Sequence, residues 1–434
     1  MLCYYGRHIG CLELKDDIKY KFLNSADLIP NLFRTEYSKL VAVLCKIYGL
    51  SNIQVAEDIV SETFLSAAET WGKKGVPTNQ VGWLYTVAKN KTKDHLRRSK
   101  IKIEKVDPAL QRERETETTT ALDLDLSEKE IKDSQLKMIF ASCHPSLSKD
   151  SQIALALRIL CGFSIDEIVS ALLSNKETIN KKLYRAKTKL RENNISIDLP
   201  EPAEINARLD AVLKTLYLLF NEGYYSANPN KSIRKDLCLE AMRLNILLTD
   251  TKQTDLPKTN ALLSLMCFHA SRLEARLDDE GEYILYDQQD TTLWDNDLIK
   301  KGEHFLNRAS KGAKLSKYHL EAAIAYWHTQ KENEQRWESI LQLYNYLLQI
   351  EYSPIAALNR TYALSKANSK QEAIKEALKL QLDDNHLYHM LLAELYKGEN
   401  HKKRIKHLEE AYTLTKSDSE KKLIKRKLLE GNHH

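Results

Sequence analysis

Residues that stop helices are rare in this chain: 13 glycines and nine prolines are spread over 434 residues, against a background rich in Leu, Lys, Ala and Glu. Such side chains lose little freedom in a helix, so a backbone this seldom interrupted has few other ways to fold. Few segments alternate β-branched and polar residues as strands do. The expectation is an all-α protein. Its 43% apolar content is enough to bury sizeable cores, and its length suits two or three domains.

The net charge of +5 is modest, and what matters is where the basic residues cluster. The seven cysteines are scattered and form no CxxC pair, so they read as reduced, small core residues rather than a disulfide framework or zinc site. Cys143 beside His144 has no second ligand pair nearby, so no metal and no cofactor is expected. No apolar run approaches a membrane span, and no signal peptide is evident. The default setting is the cytoplasm. Residues 1–25 read as a leader without a stable element.

The first block, 26–98, reads as a helical bundle. In 81–98 Leu84, Val87 and Ala88 mark an inward face, while Lys89, Lys93 and Arg97 form a basic stripe with Asn90 and Arg98 beside it. Such a helix suits phosphates, and Trp83 at its start could stack on a base. A solvated basic helix with Trp83 in the core is the plainer alternative. Upstream, Ala56, Ile59, Val60 and Phe64 form an apolar face, and Glu57, Asp58 and Glu62 an acidic one. An acidic patch repels phosphate, so it points to a protein partner with a basic surface. A polar stretch, 99–126, reads as a flexible linker.

In the second block, 127–198, a supporting helix over 151–160 ends at Gly162. A short helix begins at Ile165, a turn follows at 173–175, and a basic helix runs from Lys176 to about Arg191. That is the helix-turn-helix pattern, with Asn180, Lys181, Lys182 and Arg185 as its base- and phosphate-facing residues. A generic helical hairpin with a solvated lysine face is the alternative.

The third block, 199–434, is a succession of amphipathic helices. The first carries Leu209, Val212, Leu213, Leu216, Leu219 and Phe220, and Gly223 is expected to end it in a left-handed turn. Asn221, Glu222, Gly223 and Tyr224 could form a small binding site or a packed turn. Farther on, helices are expected at 337–349, 354–366, 370–380, 386–397, 401–413 and 419–429, repeating at roughly the tetratricopeptide (TPR) interval. Stacked pairs of this kind can offer a concave face to a peptide partner.

AEDIVSETFLSAAETW followed by GWLYTVAKNKTKDHLRR resembles regions 2.1 to 2.4 of bacterial sigma factors, and GFSIDEIVSALLSNKETINKKLYRAKTKLRE resembles region 4. LYLLFNEGYYSA, YDQQDTTLWD, YHLEAAIAYWH and SPIAALNRTYAL are similar to one subgroup of extracytoplasmic-function (ECF) sigma factors with a long TPR-like C-terminal extension. Leu173 stands where the family usually has a turn glycine, and Thr291 where an arginine is usual. The resemblance implies a transcription factor, not an enzyme. Glu57, Asp58, Glu62 and Phe64 would dock on the β′ subunit of RNA polymerase core. Trp83 to Arg98 would melt and hold the −10 strand of promoter DNA. The region 4 helix, with Thr178 and Arg185 on the family's pattern, would read the −35 element and touch the β flap. The extension would regulate the factor in cis. A helix-turn-helix regulator that binds DNA without polymerase is the competing reading, and the acidic helix argues against it. An enzymatic reading on Glu222, Asp290 and His319 has no recognised constellation behind it.

Overall fold

A computed structural model describes residues 25–106, 125–172, 174–224, 235–276, 278, 284, 286–415 and 418–431. Among these the chain is helical, with no strand, as the scarcity of helix breakers predicts. The leader up to residue 24, Leu173, and 107–124 of the expected linker lie outside the described residues.

Two compact units divide the described residues. The first draws on the described residues within 25–142, 154–164 and 181–198; the second on those within 143–153, 165–180 and 199–431.

In the first unit, α1 (Ser25–Tyr48), α2 (Ile53–Lys74), α3 (Gln80–Val106) and α4 (Glu128–Ser142) pack around a core of Tyr37, Leu40, Leu44, Val60, Leu84, Met138 and Phe140. Helix α4 lies against α1, where Lys46 meets Glu130 at 2.5 Å. Helix α3 does not stop at Arg98 but runs on to Val106, because nothing in IKIEKV breaks it. The first unit also takes the end of α5 (Lys149–Ile159) and most of α7 (Lys176–Glu192). Gly162, at φ 68°, closes the stretch after α5; its backbone conformation favours glycine, and a Cβ there would press on the Tyr37 ring at 3.3 Å. Between α5 and α7 lies the short α6 (Ile165–Ala171), and Asn175 caps α7 by accepting from Thr178 N–H at 2.8 Å.

The second unit continues with α8 (Pro202–Tyr224), α9 (Lys235–Thr249), α10 (Pro257–Ala270), α11 (Asn296–Ala309), α12 (Lys317–Thr329), α13 (Arg336–Ile350), α14 (Pro354–Ala367), α15 (Lys370–Lys379), α16 (His386–Leu395), α17 (His401–Leu414) and α18 (Asp418–Gly431). The last six agree with the sequence expectation to within two residues or so at most ends. The reason is local: Ser353, Ser369 and Asn400 each accept from a backbone N–H one turn into α14, α15 and α17. Helix α12 packs most on α10, and from α13 onward each helix packs chiefly on its chain neighbours. Gly302 of α11 sits where a Cβ would come within 2.6 Å of the Phe268 ring, so α10 and α11 approach closely only with glycine there. Gly223 differs from expectation: it lies inside α8, which continues through Tyr224. Residues 225–229, the rest of that motif, lie outside the described residues.

No helix among the described residues is long and apolar enough to cross a membrane. Cys45, Cys143, Cys161, Cys238 and Cys267 are buried and unbridged.

Candidate nucleic-acid interface

Helix α3 presents its basic residues outward. Asn90, Lys93, Arg97 and Arg98 are exposed, and Lys89 is half-buried. Leu84, Ala88 and Thr92 hold the opposite side in the core, and Thr92 Oγ1 donates back to the Ala88 carbonyl at 2.8 Å. Arg97 lies 3.6 Å from Asp94, one turn earlier. Asn79 begins the helix by accepting from Gly82 N–H at 2.8 Å. Trp83 is half-buried and meets the buried Trp71 ring edge-on at 5.3 Å, so part of its surface is already used in packing.

The acidic helix splits in two. Asp58 and Glu62 are exposed, and Glu62 receives Lys91 of α3 at 3.3 Å. Leu65, 60% exposed, continues that face one turn on. Glu57 and Phe64, expected beside them at a partner surface, are instead in the interior. Phe64 packs edge-on against Phe33 at 4.9 Å. Glu57 is only 4% exposed, and Tyr37 Oη donates to it at 3.2 Å, Arg158 Nε at 3.0 Å, and Lys187 Nζ to its second oxygen. Arg158 also donates to the Phe163 carbonyl at 2.9 Å and stands over the Tyr37 ring at 5.5 Å. Glu57 therefore ties α2 to α5 and α7. Burial, and then the Glu57 charge, push the Tyr37 hydroxyl far above its ordinary range, and Cys45 rises for the same two reasons.

On α7, Ile179, Leu183, Ala186 and Leu190 face inward. Asn180, Lys181 and Arg185 are exposed, and Thr178 and Lys182 half-buried. Tyr184 stands among them at 70% exposure. KKLYRAK places this phenol on the same outward arc as the cations and amide, so helical period is the signal for it.

In the extension motif Asn221 and Glu222 are half-buried, and Gly223 and Tyr224 buried, in the last turn of α8. The three residues of the enzymatic reading have other attachments. Asp290 accepts from Thr292 N–H at 2.8 Å, His319 Nδ1 accepts from Ser316 N–H at 3.1 Å at the start of α12, and Glu222 sits in the α8 turn.

Residues 32–101 match the sigma-70 region 2 family. Residues 208–310 match a family of unknown function (DUF6596). An uncharacterized protein of Rhizobium meliloti (strain 1021) is 31% identical over 354 residues, covering 80% of this chain and 82% of that protein. No solved structure matches.

Proposed function

Because the chain belongs to the sigma-70 family, transcription initiation factors that act with RNA polymerase and are not enzymes, we propose that it is a cytoplasmic ECF-type sigma factor regulated in cis by residues 199–434. The outward faces of α2 and α3 carry this reading. Asp58 and Glu62 meet a basic surface of polymerase β′, extended by the exposed Leu65. Lys89, Asn90, Lys93, Arg97 and Arg98 hold the melted −10 strand, with the free part of Trp83 available to a base. Thr178, Asn180, Lys181, Lys182 and Arg185 act as a helix-turn-helix recognition surface on the −35 duplex. The observation that supports this most directly is that the basic residues of α3 stand outward within the stretch matching sigma-70 region 2. A basic helix serving as internal packing would have hidden them.

Glu57 and Phe64 have a different part: they hold the first unit together behind the polymerase-facing surface. The extension, with its helix pairs in TPR-like succession, provides a regulatory surface for a protein or peptide partner.

Run-off transcription with bacterial core polymerase tests the proposal. The full-length chain should direct initiation at a cognate promoter, and a Lys181→Ala/Arg185→Ala chain should lose most of it. A chain ending at Pro200 should differ from full length in activity if the extension regulates in cis. Failure of every form to direct initiation, or tight operator binding without polymerase, would overturn the assignment.

A further inference from the structure

Within the second unit, side chains far apart in sequence gather around a set of aromatic rings. Arg272, 7% exposed, lies against the rings of Tyr286 (5.5 Å) and Trp294 (6.0 Å). Lys331 approaches the same two rings at 5.2 and 4.9 Å. Tyr286 meets His328 edge-on at 5.0 Å, and His328 meets Trp337 at 5.8 Å. Arg336 stands over Trp337 at 4.8 Å and donates to the Lys331 carbonyl at 3.1 Å. The extension motif joins the group through Tyr224, whose hydroxyl lies 3.5 Å from Arg272 Nη2.

Among the described residues, charge here is unbalanced. Neither Arg272 nor Arg336 has an ion pair among the described residues. The nearby carboxylates are engaged elsewhere: Asp287 with Tyr362 Oη at 3.4 Å and Lys366 at 3.9 Å, Asp290 with Thr292. A buried guanidinium without a carboxylate is costly, and buried donors without acceptors are rare. Yet Arg272 Nε, Arg336 Nε and Trp294 Nε1 are buried with no hydrogen-bond partner, as are His328 Nδ1 and Gln289 Oε1. Three of these five atoms can only donate. The surplus of positive charge is also felt by His328, which burial and then Arg272 and Arg336 push down to about 3.

We propose that Arg272, Lys331, Arg336 and Trp294 form a binding site for a small oxyanion, a phosphate or polycarboxylate group that supplies the missing acceptors. Guanidinium forks match such oxygens in pairs, and the ring walls exclude water around them. The bound anion is the extension's own ligand and the signal it reads. That role rests on the cis-regulation reading; the site itself does not.

The test uses the full-length chain alone, with no polymerase or DNA, so its outcome is separate from that of the run-off assay. Pyrophosphate and citrate are titrated in parallel at an ionic strength held constant with sodium chloride, reading the thermal midpoint and tryptophan fluorescence. At least one should raise the midpoint saturably, and which one does so separates phosphate from carboxylate recognition. Arg336→Gln and Lys331→Gln, at half-buried positions, should each weaken the apparent affinity by about tenfold or more. Arg272→Gln serves as a third variant where it folds. The proposal is overturned if neither anion shifts the midpoint beyond the chloride control, or if the shift survives both half-buried substitutions.

Discussion

Both units pair some cations with carboxylates, as the second does Arg308 with Asp255 and Lys258 with Asp210, yet at their candidate sites they use cations in opposite ways. In the first, Lys93, Arg97, Arg98, Lys181 and Arg185 stand outward on helices whose apolar faces are anchored in the core. Where that unit buries cations, it gives them a carboxylate: Arg158 and Lys187 both reach Glu57. In the second, Arg272 and Arg336 are turned onto aromatic rings with no carboxylate bonded to them among the described residues. A buried pair that satisfies itself is structure. A buried cation left wanting an acceptor is an opening for something else. Exposed cations on a helix flank need no partner and remain available to phosphate.

The comparison is sharpest at Glu57. Removing its carboxylate leaves Arg158 and Lys187 charged, mostly buried and unpaired, and takes the acceptor from Tyr37. Glu57→Ala should therefore cost about 3–5 kcal/mol in a denaturant titration. Asp58→Ala, one residue on and exposed, should change stability by about 0.5 kcal/mol or less while weakening polymerase binding. Equal costs at the two positions would show that Glu57 is not the tie the geometry describes.

That neighbouring pair also shows how much was legible. Element positions were, because helix period and capping residues are local: α14 was expected from Pro354, and it begins there. Glu57 was placed with its acidic neighbours, although it shares a face with Val60, Phe64, Ala67 and Trp71, spaced three and four apart. The helix period carries the information that charge alone does not. The outward basic face of α3 followed directly from spacing. The cluster around Arg272 could not be read at all, since Arg272, Trp294 and Lys331 meet only after α10, the turns beyond it and the loop after α12 have folded together. Gly223 misled for a different reason: glycine permits a helix end but does not impose one when Tyr224 is anchored by packing.

A pH experiment extends the comparison to a buried acid of the second unit. Burial raises the Glu321 carboxyl from its ordinary 4.5 to about 7, against the pull of Lys317 and a hydrogen bond from Tyr217. Between those values the folded chain keeps a proton that the unfolded chain has released. The stabilisation is complete below about pH 4.5 and disappears as pH rises through 7. Glu321→Gln should therefore leave stability near wild type at pH 4 and raise it by about 3 kcal/mol at pH 8. A gain independent of pH would mean that the carboxylate is not the group responsible.

The outward cations should show a smaller effect, visible in binding rather than folding. Lys93→Ala and Arg97→Ala should each weaken promoter binding by the polymerase complex by about 1 kcal/mol. Each should also lower the slope of log affinity against log salt by about one. Both chains should melt as the wild type does, because neither side chain is buried. A loss of affinity with the salt slope unchanged would place these residues away from phosphate.

The smallest effect is predicted where a buried charge is removed. Arg272→Met keeps much of the packing against Tyr286 and Trp294 but takes away a guanidinium that no carboxylate among the described residues neutralises. The lost cation–ring attraction and the relieved desolvation oppose each other, so in anion-free buffer stability should stay within about 1 kcal/mol of wild type. In saturating anion the variant should fall behind, because only the wild type gains from binding. Melting both chains in chloride alone, and again with whichever of pyrophosphate or citrate binds, separates the two contributions. If Arg272→Met were as damaging in chloride as Glu57→Ala, the guanidinium would be a structural partner like Arg158, and the contrast between the two units would collapse.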